Sequence, residues 1–166
     1  SRALKVAIDH KGYITPAIAD SHLLGATYER DESIPLVTDQ ADRENLLSQA
    51  TNLPDLTRSL GKITSAHCAI RATSPDRFPY VGPMPDIDYY RHQYHDLKQG
   101  KRWKTYPEAQ YLPGLYVSSA YGSRGFTTSA LCSEFLAGLI NGEPQAIPRT
   151  VSRALHPARF LIRTLQ

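Results

Sequence analysis

From Tyr116 to Leu131 the chain reads Tyr-Val-Ser-Ser-Ala-Tyr121-Gly122-Ser123-Arg124-Gly125-Phe126-Thr127-Thr-Ser129-Ala-Leu. Aromatic and β-branched residues lead into Gly122, so the pattern predicts a strand that breaks at a Gly-x-x-Gly turn and opens into a helix. Such a turn aims backbone N–H groups and the positive end of a helix at one point, which suits an anion or the electron-rich edge of a cofactor. The same glycines also serve a tight turn that binds nothing. A second set lies upstream, in Ile70-Arg71-Ala-Thr73-Ser-Pro75-Asp76-Arg77-Phe78-Pro79-Tyr80-Val81-Gly82. Arg71 at a strand end could grip a carboxylate with its guanidinium fork, or close a structural ion pair. Asp76 reads as a turn or capping residue in preference to an acid–base catalyst. His67 reads as the holder of a local hydrogen bond, and Tyr80 and Tyr121 either line a site or pack.

The elements that would carry these residues are mixed. Val6 to Thr15 predicts two short strands around His10-Lys11-Gly12, with a third near Leu23 to Tyr28. A helix should start at Thr38 or Asp39 and run through Leu46-Leu47, and Pro54 should open a shorter one ending near Leu60-Gly61. Ile63 to Arg71 alternates imperfectly and reads as a strand, and a short strand is expected at Phe78 to Val81. Asp88 to Pro113 reads as a long loop or partial helix, and Leu115 to Ala120 as a buried strand. The strongest helix is capped by Thr127 or Ser129, carries Leu131, Phe135, Leu136, Leu139 and Ile140 on its apolar stripe, and stops at Asn141-Gly142. The tail supports a short helix near Thr150 to Leu155. The fold class expected is α+β, an antiparallel or mixed sheet from the first strands and Ile63–Arg71 with helices packed on it.

With 41% hydrophobic and 21% charged residues, the 166 residues can bury a core and do not read as disordered. The opening Ser1-Arg-Ala-Leu-Lys5 has no apolar signal-peptide core, and no apolar run approaches the ~20 residues of a membrane span. Cys68 and Cys132 have apolar neighbours and read as two buried free thiols, with no metal site. The net charge of +3 is uneven: Arg91 to Lys104 carries +4, Arg149 to Gln166 another +4, and the remainder therefore −5. Two basic patches on an acidic body point to a polyanionic partner.

Taken together, the arginine at 71, Thr73-x-x-Asp76, Pro79-x-Val81-Gly82, Gly114-Leu-Tyr-Val117 and the glycine turn resemble the C-terminal half of the glycine oxidase/D-amino acid oxidase family of FAD-dependent amine oxidases. Gly122-Ser-Arg124-Gly125-Phe126, Ala130-Leu-Cys132-Ser-Glu134 and His156-Pro157-x-Arg159-Phe160 resemble the tRNA-modifying members in particular. The likeness is strongest at 63–86 and 113–163, looser at 11–30, and poor at 88–112.

The resemblance implies oxidation of a C–N bond by FAD. A carboxymethyl group would leave 5-carboxymethylaminomethyl-(2-thio)uridine at the tRNA wobble position, giving aminomethyluridine and glyoxylate. It assigns substrate binding to Arg71, Arg124, Tyr80 and Tyr121, and the flavin's pyrimidine edge to Gly122, Ser123, Arg124, Gly125, Phe126 and Thr127. By the same likeness, 1–86 is mostly substrate-domain sheet and helices, 88–112 a basic and aromatic insertion, and 113–166 the flavin-contacting strand–turn–helix with a basic tail. In the insertion, Arg91, Lys98, Lys101, Arg102, Trp103 and Lys104, interleaved with tyrosines, offer cations for phosphates and rings for unstacked tRNA bases.

A Gly-x-Gly-x-x-Gly fingerprint for the pyrophosphate does not occur in these residues. The expectation is a C-terminal fragment whose FAD-binding half lies upstream, with a fused S-adenosylmethionine-dependent methyltransferase as a further possible part. Alone it should hold FAD weakly and be inactive, and the whole should be cytoplasmic. Two alternatives stay open: an oxidase of a free amino acid such as glycine or sarcosine, and a non-catalytic basic RNA-binding module.

Overall fold

A computed structural model describes residues 4–29, 34–100 and 103–165. The fold is α+β and divides into two compact units, residues 1–70 and 71–166.

In the first unit, β1 (Ile8–Asp9), β2 (Tyr13–Ile14) and β3 (Leu24–Gly25) form an antiparallel sheet in that order, with Ile8 opposite Ile14 and Tyr13 opposite Gly25. Helix α1 (Asp39–Asn52) starts where expected: Thr38 Oγ1 accepts from the Ala41 N–H at 3.1 Å, and Asp39 and Asp42 sit favourably in the first turn. Gln49 is the helix's buried residue. Its Nε2 donates to the Tyr13 carbonyl at 3.3 Å and its Oε1 lies 3.0 Å from His10 Nε2, so one amide fastens helix to sheet. Pro54 opens α2 (Pro54–Arg58).

The strand expected at Ile63–Arg71 does not form. Residues 61–70 are exposed and without regular structure, which also leaves Cys68 exposed and His67 on an open stretch. A strand is stable only with a ladder partner, and alternation alone does not supply one.

The second unit is built on β4 (Tyr80–Pro85) and β5 (Tyr111–Ser119), antiparallel with Val81 opposite Ser118 and a bulge between Pro83 and Pro85. Helix α4 (Gly125–Asn141) packs on both strands and ends on left-handed Gly142, as the Asn-Gly pair predicts. Val81, Cys132, Phe135, Ile147 and Leu155 make the core beneath it. Two expectations fail here. β5 is largely exposed instead of buried, and Leu131 and Ile140 of the α4 stripe face outward while Cys132 faces in. An apolar run fixes strand or helix character, not which neighbour covers it.

Of the loop and partial helix expected after Asp86, the partial helix forms. Asp86 caps α3 (Ile87–Gln93) through the Tyr89 N–H at 2.9 Å, and a 3-10 turn follows at Leu97–Gln99. The tail holds two helices instead of one, α5 (Arg149–Leu155) and α6 (Arg159–Leu165). Tyr90 of α3 and Tyr94 just after it pack on Ala158, Leu161 and Ile162 of the tail to form a second core.

A buried ion pair ties α6 to the 74–79 turn. Arg159 Nε and Nη2 donate to the two Asp76 oxygens at 2.9 Å each, Nη2 also to the Phe78 carbonyl at 2.7 Å, and Nη1 to the Pro79 carbonyl at 3.2 Å. Asp76 further accepts from Ser74 Oγ and from the Phe78 N–H, so it is the turn residue expected and not a free acid. The guanidinium lies 4.1 Å over the Tyr80 ring. Hydrogen bonds and charge from Arg159 hold the Asp76 carboxyl well below the usual carboxylate range.

Arg159→Ala should cost about 3–5 kcal/mol in denaturant unfolding, because it strands a carboxylate in a partly buried turn. The unfolded chain takes up the Asp76 proton first, so this contribution is fully present above the ordinary aspartate pKa of ~3.9 and is lost as pH falls below it. Unfolding from pH 6 to pH 3 should lose its acid dependence in part in Asp76→Asn.

Candidate active site

The glycine turn is shaped by two left-handed residues. β5 ends at Ser119, Ala120 takes φ 62° although it is not glycine, and Gly122 takes φ 56°. A single 3-10 turn spans Gly122–Arg124, and α4 begins at Gly125, ahead of the Thr127 or Ser129 cap expected. Arg124 occupies the capping position with no side-chain cap on the helix, so the first-turn N–H groups face the turn's open side.

The upstream segment is pinned to this turn by backbone pairing. Gly122 N–H donates to the Ala72 carbonyl at 3.1 Å, and Thr73 bridges to Tyr121 in antiparallel fashion. Arg71 is thereby held within two residues of a fixed contact, despite lying some way back in sequence. A Cβ on Gly122 would fall 3.2 Å from Thr73 Cγ2, so glycine is required for this approach as well as for φ.

A shallow groove of about 370 Å³ is lined by Arg71, Gly122, Ser123, Gly125, Phe126 and Ser129. Five of these are among the residues picked out in the sequence. Ser129 was missed; its position four residues after Gly125, one helical turn along the same face, is the signal that could have found it. The Phe126 ring projects fully into solvent, with a relative exposure of 108%.

The remaining candidates lie elsewhere. Arg124 and Thr127 are exposed and do not line the groove; the Arg124 carbonyl accepts from Thr128 Oγ1 at 2.9 Å. Tyr80 is packed between Arg159 and Phe160, whose ring meets it edge-on at 6.1 Å. Tyr121 turns inward, its hydroxyl 2.6 Å from Ser118 Oγ and beside Cys132. Burial pushes both the Tyr121 hydroxyl and the Cys132 thiol up, so Cys132 stays a protonated packing residue and not a nucleophile.

In the basic segment the side chains separate into two kinds. Tyr90 and Tyr94 are buried, and Tyr94 and Tyr89 donate to the Pro107 and Glu108 carbonyls at 2.8 and 3.1 Å. Lys104 Nζ reaches both oxygens of the buried Asp96 at 3.0 and 2.9 Å, and Tyr106 donates to the same carboxylate. Arg91, Lys98 and Trp103 are exposed; Lys101 and Arg102 lie outside the described residues. Among the described residues there is no cluster of metal-binding side chains, and no helix is long and apolar enough to cross a membrane.

Residues 2–139 match the family model described as FAD dependent oxidoreductase. The chain is 36% identical over 168 residues to the tRNA 5-methylaminomethyl-2-thiouridine biosynthesis bifunctional protein of Pseudoalteromonas translucida, covering 99% of this chain and 25% of that protein. The protein of the same name from Chromobacterium violaceum is 38% identical over 99% of this chain and 26% of its own length. That from Legionella pneumophila is 40% identical over 97% and 24%. The chain thus spans about a quarter of the length of the curated relatives it matches.

Gly122→Ala should destabilise the second unit by about 1–2 kcal/mol, the cost of a left-handed L-residue plus the Thr73 contact. Gly125→Ala, at an ordinary helical φ of −53°, should cost far less. Denaturant midpoints of the two variants, measured side by side, give this comparison directly.

Proposed function

The chain belongs to the FAD dependent oxidoreductase family, and on that premise we propose that it is the part of an amine oxidase that meets the flavin's pyrimidine edge and the substrate carboxylate. What supports the reading is one observation: Arg71 and the N–H-bearing glycine turn line a single groove, and backbone pairing fixes them to each other.

The residues present fit one end of FAD. The uncapped first turn of α4 offers donors and positive helix-end potential to an acceptor edge, and the glycines leave room for close approach. Anchorage of the pyrophosphate and adenosine falls to another segment, since the fingerprint for it does not occur in these residues. When bound, FAD supplies the hydride acceptor for C–N oxidation. The chain's own contribution is placement and charge. Arg71 pairs with the carboxylate, which orients the neighbouring C–N bond across the groove. Gly122, Ser123, Gly125 and Phe126 hold the pyrimidine edge; there the helix end favours negative charge. Arg124, Thr127, Tyr80 and Tyr121 do not line this groove, so the reading gives them no contact in it.

The relatives' names place them in tRNA 5-methylaminomethyl-2-thiouridine biosynthesis and call them bifunctional. We propose the corresponding substrate here: 5-carboxymethylaminomethyl-(2-thio)uridine at the tRNA wobble position, which loses its carboxymethyl group as glyoxylate. tRNA would be the partner, a fused S-adenosylmethionine-dependent methyltransferase the second activity of a longer protein, and the cytoplasm the compartment. The exposed Arg91 and Lys98 supply cations suited to a tRNA backbone.

The test uses flavin-loaded protein carrying this chain, mixed without oxygen with tRNA bearing the modified uridine. The visible flavin absorbance should bleach and glyoxylate should form in step with it. Arg71→Ala should lower kcat/KM roughly 10- to 100-fold, the worth of a charge-assisted hydrogen bond. Bleaching by glycine or sarcosine but not by tRNA would instead assign a free amino acid as substrate. A protein that binds tRNA and never carries flavin would leave only an RNA-binding module.

A further inference from the structure

The lining of the groove beside the glycine turn is unevenly equipped. Arg71 brings the charge, Gly122, Ser123, Gly125 and Ser129 are small, and Phe126 is the one ring and the one large apolar side chain. Phe126 is the second residue of α4, and its side chain stands wholly in solvent. Leu115, Leu131 and Ile140 of the same unit are each about half exposed, and none of them borders the groove. The Cα–Cβ bonds of a helix tilt toward its N-terminus, so Phe126 and Ser129, neighbours three residues apart on α4, both lean back toward the glycine turn. The Phe126 N–H belongs to the uncapped first turn, which leaves the ring a separate element with no cover among the described residues.

The groove of about 370 Å³ falls within the ~300–1,000 Å³ usual for a small-ligand pocket, and Arg71 and Phe126 both border it. In a carboxymethylaminomethyl-uracil, four bonds separate the carboxyl carbon from the ring, a reach of about 5 Å when extended. With the carboxylate on Arg71, the uracil stays within the groove or its mouth, and the flat apolar surface offered there is Phe126. Stacking on an aromatic face suits any base, because it uses the π-face and not a hydrogen-bonding edge. Ser129 lies beside the ring, and its hydroxyl can donate to a uracil carbonyl or accept from N3–H. A free amino acid such as glycine fills the Arg71 part alone and leaves the ring in water.

We propose that Phe126 is the specificity-determining residue of this groove: the substrate's uracil stacks on its ring while the carboxymethyl carboxylate pairs with Arg71. The inference rests on the tRNA reading above and deepens it, because the base and not only the carboxylate becomes a recognised part of the substrate. Capture at two points fixes the direction of the arm between them, so the C–N bond is presented in one orientation. Unpaired loop bases are the ones open to such stacking.

Anaerobic bleaching of flavin-loaded protein carrying this chain, by tRNA bearing the modified uridine, reads the half-saturating concentration and the limiting rate from one titration. Phe126→Ala should raise the half-saturating concentration roughly 5- to 100-fold, the worth of one base–aromatic stack. Phe126→Tyr should stay near the wild-type value, and Phe126→Leu, which keeps apolar bulk without a ring face, should recover little. Flavin content and visible spectrum should be the same in all four proteins. Half-saturation unchanged in Phe126→Ala, full recovery in Phe126→Leu, or loss of flavin from Phe126→Ala each overturns the stack and leaves tRNA as the substrate. Wild-type protein that the modified tRNA fails to bleach overturns the tRNA reading, and the stack with it.

Discussion

The site depends on a short piece of backbone pairing, Gly122 N–H to the Ala72 carbonyl and Thr73 against Tyr121. Two segments far apart in sequence become one rigid surface through it. The pairing is possible only because Ala120 and Gly122 both turn left-handed, which swings the chain out of β5 and brings it against 72–73 before α4 begins. Ala120 pays a steric penalty that a glycine would avoid, and it does so buried against the core, where packing can hold it. The helix N-terminus and the guanidinium then share one groove by construction of the main chain, which is stiffer than any side-chain arrangement.

Behind that surface, the charges of the chain fall into separate jobs. Arg159 is spent mainly on the 76–79 turn, where it satisfies a carboxylate and two carbonyls and stacks on Tyr80, with further contacts to the Leu155 and His156 carbonyls. It supports the segment that runs from Thr73 into β4, and so supports the pairing at 72–73 from the other side. His156 extends the same link: its Nδ1 accepts from the Ala158 N–H and its Nε2 meets the Tyr111 hydroxyl at 3.1 Å, while burial and Arg159 push its pKa down and keep it neutral. Lys104 does similar structural work on Asp96. The net charge of a basic patch therefore overstates the cations it leaves for a polyanion.

Much of this was legible in the sequence for local reasons. The hairpin at His10–Gly12, the Thr38 cap, Pro54 at the start of a helix and the Asn141-Gly142 stop all act within a few residues, and each was placed correctly. So was the glycine turn, because glycine reaches the left-handed region at no steric cost and Gly122 takes φ 56° there. What failed depended on distant partners. Ile63–Arg71 has strand-like residues but no ladder among the described residues, and Leu131 and Ile140 sit on the apolar stripe of α4 yet are each about half exposed. The second tail helix was missed because its apolar face becomes meaningful only once Tyr90 and Tyr94 are seen to cover it. Arg159 was noticed within a motif, yet its role required knowing that Asp76, far upstream, would meet it. Sequence spacing reports the backbone well and the tertiary partner poorly.

The most direct measurement of the central claim is a crystal structure of flavin-loaded protein carrying this chain, with an N-alkylglycine that cannot be oxidised bound in the groove. The account expects the ligand carboxylate on the Arg71 guanidinium, the flavin pyrimidine edge within hydrogen-bond distance of N–H groups between Gly122 and Phe126, and the 72–73 to 121–122 pairing intact. A carboxylate bound away from Arg71, or a flavin whose pyrimidine edge rests on another segment, would contradict it.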